Sequence, residues 1–134
     1  RALGQLVFSD SQKRDELNAI LHPLILREIT RQLDAFDAPE RLVIGDIPLL
    51  YECGMQTLFD AVWVVSVPSE TQIQRLAQRD GIDRTQAERR IDAQMPLAQK
   101  EQLADAVIHT DGTLEQTQRQ IDALLCRLAQ RRKP

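Results

Sequence analysis

The chain predicts an open α/β fold built on a parallel sheet, and three observations carry that expectation. Two short apolar runs, Leu42–Ile47 and Ala61–Val67, lack the alternation of a half-exposed strand. A third, weaker run, Ala106–His109, sits between helical patterns, and most of the remaining chain has helical periodicity. Strands without alternation are those covered on both faces by helices, and such sheets are parallel. At 134 residues, 43% of them hydrophobic, the chain is the size of one ordinary domain and has apolar material for a core.

The chain starts at Arg1 rather than Met and enters at once into Ala2, Leu3, Leu6, Val7 and Phe8, a pattern that needs a partner surface and is not expected to be a native start. Ser9-x-x-Gln12 resembles a capping box ahead of a helix carrying Leu17, Ile20 and Leu21. Pro23 removes a backbone donor and pushes His22 toward extended geometry, so a break or kink is expected there. The run Leu42–Ile47 is expected to be a buried parallel strand ending at Asp46, Ile47 and Pro48. The next strand, Ala61–Val67, holds Trp63 in the core and leads through Pro68 to a second capping signal, Ser69-x-x-Gln72. The helix that follows places Ile73, Leu76 and Ala77 on its core side and stops at Gly81. From Asp83 to Leu103 the sequence is charged and helical, interrupted by Pro96, and poor in large apolar residues, as a mobile lid would be. After the short strand Ala106–His109, the last helix has Leu114, Ile121, Leu124, Leu125 and Leu128 at helical spacing.

Composition excludes several classes of partner. A net charge of −3 offers no excess of cations to displace counterions from nucleic acid. No stretch reaches the roughly 18 apolar residues of a membrane span. Cys53 and Cys126 match no metal-ligand spacing and read as free thiols in a reducing compartment, which fits the cytoplasm.

In an open α/β sheet, ligands bind beyond the carboxyl ends of the strands. Three such ends deliver Asp46, then Ser66 with Pro68, and finally Thr110, Asp111 and Gly112. Arg75 and Arg79 are one helical turn apart, with Arg75 about 200° around the helix from Ile73. Forked guanidinium donors suit a phosphate group, although the same spacing fits a solvated face paired with Glu70 or Asp80. Arg84, Arg89 and Arg90 add cations in the lid, where closure brings charge onto a transferring phosphoryl group, or where they form an ordinary exposed charge run. Asp46 either holds a hydrated magnesium ion or orients a hydroxyl, or else caps the segment Leu49–Glu52. His22 either touches a substrate or caps a helix starting at Pro23.

Five blocks together resemble dephospho-CoA kinases in order and spacing. They are Leu17-x-x-Ile20-Leu21-His22-Pro23-Leu24-Ile25, Asp46-Ile47-Pro48-Leu49-Leu50-Tyr51-Glu52, Gln72-x-x-Arg75-Leu76-x-x-Arg79, Arg90-Ile91-x-x-Gln94, and Ala104-Asp105-Ala106-Val107-Ile108-x-x-x-Gly112. The resemblance implies a three-layer P-loop NTPase fold with a parallel sheet, a helical substrate subdomain and a lid. Residues 1–40 form the acceptor-side helical region, 41–80 and 104–134 the core, and 81–103 the lid. It implies ATP with Mg2+ as donor and dephospho-CoA as acceptor, giving coenzyme A. Asp46 and Arg79 take catalytic places, and Arg75, Arg79, Thr110, Asp111 and Gly112 take nucleotide-binding ones. By the same resemblance His22, Pro23, Arg84 and Arg90 are expected to bind substrate, and no residue is expected as a metal ligand.

Two departures stand out. Thr110 stands where the family's adenine-facing loop has asparagine. No G-x-x-x-x-G-K-[ST] loop occurs in the sequence, although the family begins with a strand leading into one. Several tens of residues are therefore expected upstream of Arg1, supplying a strand between those at Leu42 and Ala61. A chain without that strand is expected to be inactive alone and to self-associate through its open sheet edges. Another small-molecule P-loop kinase and a non-catalytic interaction domain on the same scaffold are the alternatives.

Overall fold

A computed structural model describes residues 4, 7, 10–36 and 42–131. The chain divides into two compact units, residues 1–59 and 60–134.

In the first unit, helix α1 spans Ser11–Asp34. Its N-cap is Asp10, whose carboxylate accepts from the Lys13 amide at 3.2 Å. Ser9, the expected capping residue, lies outside the described residues. The expected break at Pro23 does not occur, because the helix runs through the proline without interruption. Proline removes one bond of the ladder, but a full stretch of helix on either side continues to propagate. None of its described side chains is fully buried, and Ile20, Leu21, Leu24, Ile25 and Leu26 all stay exposed.

The segment 42–47 is a correction to the sequence reading. It forms no strand, and Ile44 is 78% exposed. A doubly covered parallel strand exists only with neighbours to satisfy its backbone and faces to cover its side chains. Among the described residues, no strand pairs with it. Beyond it, turns at Pro48–Gly54 lead into a short 3-10 helix, Met55–Leu58, whose Met55 is fully buried.

The second unit is more regular. Strand β1 (Trp63–Ser66) pairs in parallel with β2 (Ala106–His109), in the register Trp63 to Ala106 through Ser66 to His109. Helix α2 covers Ser69–Asp80, α3 Arg84–Asp92, α4 Leu97–Leu103 and α5 Leu114–Arg131. Helix α2 packs on α3, α4 on β1, and α5 on β2. Among the described residues of this unit, Val64, Ser66, Ile73, Ala87 and Ile108 are buried.

The parallel pairing and the strand at Ala106–His109 agree with expectation. The run Ala61–Val67 shortens to Trp63–Ser66 and is covered on one face, with Val65 62% exposed and Trp63 half-buried. The Ser69-x-x-Gln72 box does not form: Pro68 occupies the N-cap, and its carbonyl accepts from the Gln72 amide at 3.0 Å. Ser69 is thereby already inside the first turn. Gly81 ends α2 as expected, in the left-handed conformation at φ 62°. Asp83 caps α3 through the Gln86 amide at 2.7 Å, and Pro96 starts α4, so the charged stretch is two helices. Leu114 is 85% exposed and belongs to the first turn of α5 rather than to its apolar stripe, while Ile121, Leu124, Leu125 and Leu128 are half-buried.

Candidate functional site

The carboxyl ends of β1 and β2 lie side by side, as a parallel pair dictates. The Thr110 amide donates to the Ser66 carbonyl at 2.9 Å, which carries the ladder one residue past β2. The buried Ser66 hydroxyl donates to the Glu101 carboxylate of α4, tying that helix to the strand end. Arg75 reaches the same place from α2. Its Nη2 donates to the Thr110 carbonyl at 2.8 Å and its Nη1 lies 3.4 Å from the Thr110 hydroxyl.

After Thr110 come Asp111 and Gly112, both exposed, and then a capping box that the sequence reading passed over. The Gln116 Oε1 accepts from the Thr113 amide at 2.8 Å, and the Thr113 hydroxyl accepts from the Gln116 amide at 3.3 Å. A Cβ at Gly112 would sit 2.0 Å from the Gln116 oxygen, so any larger residue there must push that side chain out of the box. The outer edge of β2 is closed by Gln120, whose amide donates to the His109 carbonyl at 2.8 Å and accepts from the His109 amide at 2.9 Å. One side chain thus imitates a neighbouring strand. His109, Asp111, Gly112, Gln116, Arg119 and Gln120 line a shallow open groove of about 360 Å³.

The other arginines are held on carboxylates. Arg79 pairs with Asp80 at 2.7 Å, and Arg90 with the second oxygen of the same carboxylate. The Arg84 guanidinium forks onto both oxygens of Glu70 at 2.8 Å and reaches Glu88 at 2.8 Å. The Arg79 hydrogen bond holds Asp80 below its usual carboxylate range, with the Arg90 charge adding to it. Arg84, followed by Gln74, does the same for Glu70, and Arg84 itself is raised by Glu70 and Glu88. The paired reading holds for Arg79, which sits on Asp80, whereas Arg75 meets Thr110 instead of an acid; the arginines of α2 and α3 are balanced by Glu70, Asp80 and Glu88. An arriving phosphate offers the same forked acceptor geometry as the carboxylates it displaces.

His22, Pro23 and Asp46 belong to the unit of residues 1–59. His22 lies in the middle of α1 and caps nothing; among the described residues its buried Nε2 has no hydrogen-bond partner. Asp46 is exposed and accepts no hydrogen bond among the described residues, so the capping alternative for it is not realised. Gly45 precedes it against the Phe59 ring, where a Cβ would come within 2.9 Å. Cys53 and Cys126 are free thiols, and burial pushes the Cys53 thiol up, with the Glu52 charge adding to it.

Glu101 and Gln120 were missed by sequence reasoning. Each acts through a partner distant in sequence or on another element, and no local pattern announces it. Thr113-x-x-Gln116, by contrast, carries a legible capping signature.

Against known proteins, the family model described as dephospho-CoA kinase matches residues 1–116. This chain belongs to the dephospho-CoA kinase family. The dephospho-CoA kinase of Bacillus licheniformis is 46% identical over 126 residues, covering 93% of this chain and 63% of that protein. That of Syntrophotalea carbinolica is 48% identical over 127 residues, covering 94% and 60%. A crystal structure of a Thermus thermophilus protein superposes with a TM-score of 0.75 at 36% identity, over 96% of this chain and 66% of that one. The dephospho-CoA kinase from Campylobacter jejuni, at 24% identity and a TM-score of 0.64, shares the fold over 98% of this chain and 66% of its own. The α/β architecture with a parallel sheet is therefore that of dephospho-CoA kinases, and the chain spans less than two thirds of these relatives' length.

Proposed function

We propose that the protein to which this chain belongs transfers the γ-phosphoryl group of ATP to the ribose 3′-hydroxyl of dephospho-CoA, giving ADP and coenzyme A. The match of the family model to residues 1–116 carries the reading, and the joined strand ends with Arg75 beside them support it. The phosphate-binding loop belongs, in this reading, to a part of the protein outside these residues.

Phosphoryl transfer is mainly positioning and charge stabilisation. Arg79 moves from Asp80 to the phosphates, and Arg84 and Arg90, on the lid of residues 81–103, exchange carboxylates for substrate as it closes. Arg75, Thr110, Asp111 and Gly112 form the nucleotide side, within a core of residues 41–80 and 104–134. Residues 1–40 face the acceptor through His22 and Pro23, and the unsatisfied His22 Nε2 supplies a polar atom that a substrate hydroxyl or phosphate satisfies.

Asp46 serves the reacting hydroxyl, either directly or through magnesium. Among the described residues no group of three or more potential ligands exists. That suits magnesium, which keeps its waters and takes one or two carboxylates together with phosphates. When bound, the ion neutralises charge on the triphosphate.

The partner is a small molecule rather than nucleic acid, in keeping with the net charge of −3. No described helix is long and apolar enough to cross a membrane, and we place the protein in the cytoplasm. The isolated 134-residue chain self-associates through β1: the Val62 and Ser66 carbonyls face β2, so the Trp63 and Val65 peptides face the opposite edge of a sheet that has two strands among the described residues. Sedimentation showing a compact monomer removes that part of the proposal. The kinase reading is tested by offering the full-length protein ATP with dephospho-CoA or with nucleoside monophosphates. Phosphorylation of dephospho-CoA is expected, and exclusive use of a monophosphate would replace it with another small-molecule kinase. A full-length protein inactive on every acceptor would favour the interaction domain.

A further inference from the structure

We infer that Arg75 is a positioning residue: it fixes the loop of residues 110–113 and sets how selectively the site takes its nucleotide base, without holding a phosphate. The inference rests on the kinase reading above and deepens it.

The geometry distinguishes Arg75 from the other arginines. Arg79, Arg84 and Arg90 sit on carboxylates, which an incoming anion can displace. Arg75 instead directs both terminal nitrogens at one residue, with 2.8 Å to the Thr110 carbonyl and 3.4 Å to its hydroxyl, across 35 positions of sequence. A guanidinium whose fork is spent on a backbone carbonyl and a hydroxyl is anchoring that backbone. Thr110 is equally committed. Its amide is on the Ser66 carbonyl at 2.9 Å and its carbonyl is on Arg75, so each of its polar groups has a protein partner.

The other end of the loop is fixed independently by the Thr113–Gln116 box. Asp111 and Gly112 therefore form a two-residue bridge clamped at both ends, by Arg75 on the strand side and by the box on the helix side. A bridge clamped at both ends presents its backbone in one arrangement, which a recognition loop needs in order to discriminate between bases. Removing Arg75 releases one clamp and leaves Arg79, Arg84 and Arg90 on their carboxylates.

The test compares Arg75→Ala and Arg75→Lys with wild type in the full-length protein. Backbone exchange at residues 110–113 is expected to quicken in Arg75→Ala, and less in Arg75→Lys, whose ammonium still reaches the carbonyl. The KM for ATP is expected to rise about threefold to tenfold, the cost of a charged hydrogen bond at an exposed position. The preference for ATP over GTP is expected to narrow, while the KM for dephospho-CoA and inhibition by inorganic tripolyphosphate stay as in wild type.

If ATP, GTP and tripolyphosphate all weaken by the same factor, Arg75 holds phosphate and the inference is overturned. Unchanged exchange at 110–113 overturns it as well. A wild-type protein that fails to phosphorylate dephospho-CoA removes the kinase reading, and the exchange measurement still decides whether Arg75 fixes the loop.

Discussion

Two apolar runs of similar composition end in different states. Trp63–Ser66 is a paired strand with Val64 and Ser66 buried, whereas 42–47 forms no strand, with Ile44 exposed. The difference lies in what each run meets. The first has β2 in register along one edge, α4 packed on it, and the Thr110 amide continuing the ladder. The second has no strand beside it among the described residues. Apolar composition gives a segment the capacity to be a strand, and a neighbour makes it one.

The largest test of this contrast is a pair of truncations in the 134-residue chain. Ile108→Ala, at a buried position of β2, is expected to cost about 2–4 kcal/mol in chemical denaturation. Ile44→Ala is expected to cost less than about 0.5 kcal/mol, as at an exposed site. Equal losses at the two positions would mean that 42–47 is packed after all.

A smaller effect is expected at the strand-end loop. Gly112→Ala drives a methyl group into Gln116 and opens the box at the start of α5, costing about 1 kcal/mol, the usual worth of a cap. A melting temperature equal to that of wild type would show that Gln116 moves aside freely.

The smallest effect concerns charge, and it sets a tie within one helix against a tie between two. Arg31, and then Gln32, hold Glu28 down to about 2 from an ordinary 4.5, three and four residues along α1. Glu70 is lowered by Arg84 of α3. Both carboxylates titrate lower when folded than when unfolded, so their contribution is complete above pH 4.5 and is lost as acid takes the pH down through the folded values, about 2 for Glu28. Followed by NMR, Arg31→Ala is expected to return Glu28 toward 4.5 with little change in global stability, because the pair is exposed. Arg84→Ala is expected to raise Glu70 and also to loosen α3 from α2. If α3 keeps its amide protection, the ion pair does not hold it.

The parallel core was legible because Ala61–Val67 and Ala106–His109 carry apolar runs between helical periods. The family was legible because five blocks occur in order along the chain. The stop at Gly81 followed from its lack of a Cβ. The continuous helix through Pro23 was not legible, since residue rules price the local loss and not the propagation on either side. Nor was the state of 42–47, which depends on a neighbour rather than on its own residues. At the site, the candidate arginines were found from spacing and Arg79 on Asp80 was among the stated pairings, but the partners on other elements were not. Arg75 on Thr110, Arg84 on Glu70 and Ser66 on Glu101 are separated by 35, 14 and 35 positions, and the sequence carries no mark of such pairings.

The central claim is the proposed one, that the protein to which this chain belongs transfers the γ-phosphoryl group of ATP to dephospho-CoA and leaves ADP. Mass spectrometry of dephospho-CoA incubated with ATP tests it most directly. The full-length protein is expected to add one phosphoryl group at the ribose, and the 134-residue chain alone to add none. A full-length protein that leaves dephospho-CoA unchanged, or a 134-residue chain that converts it unaided, would contradict the account.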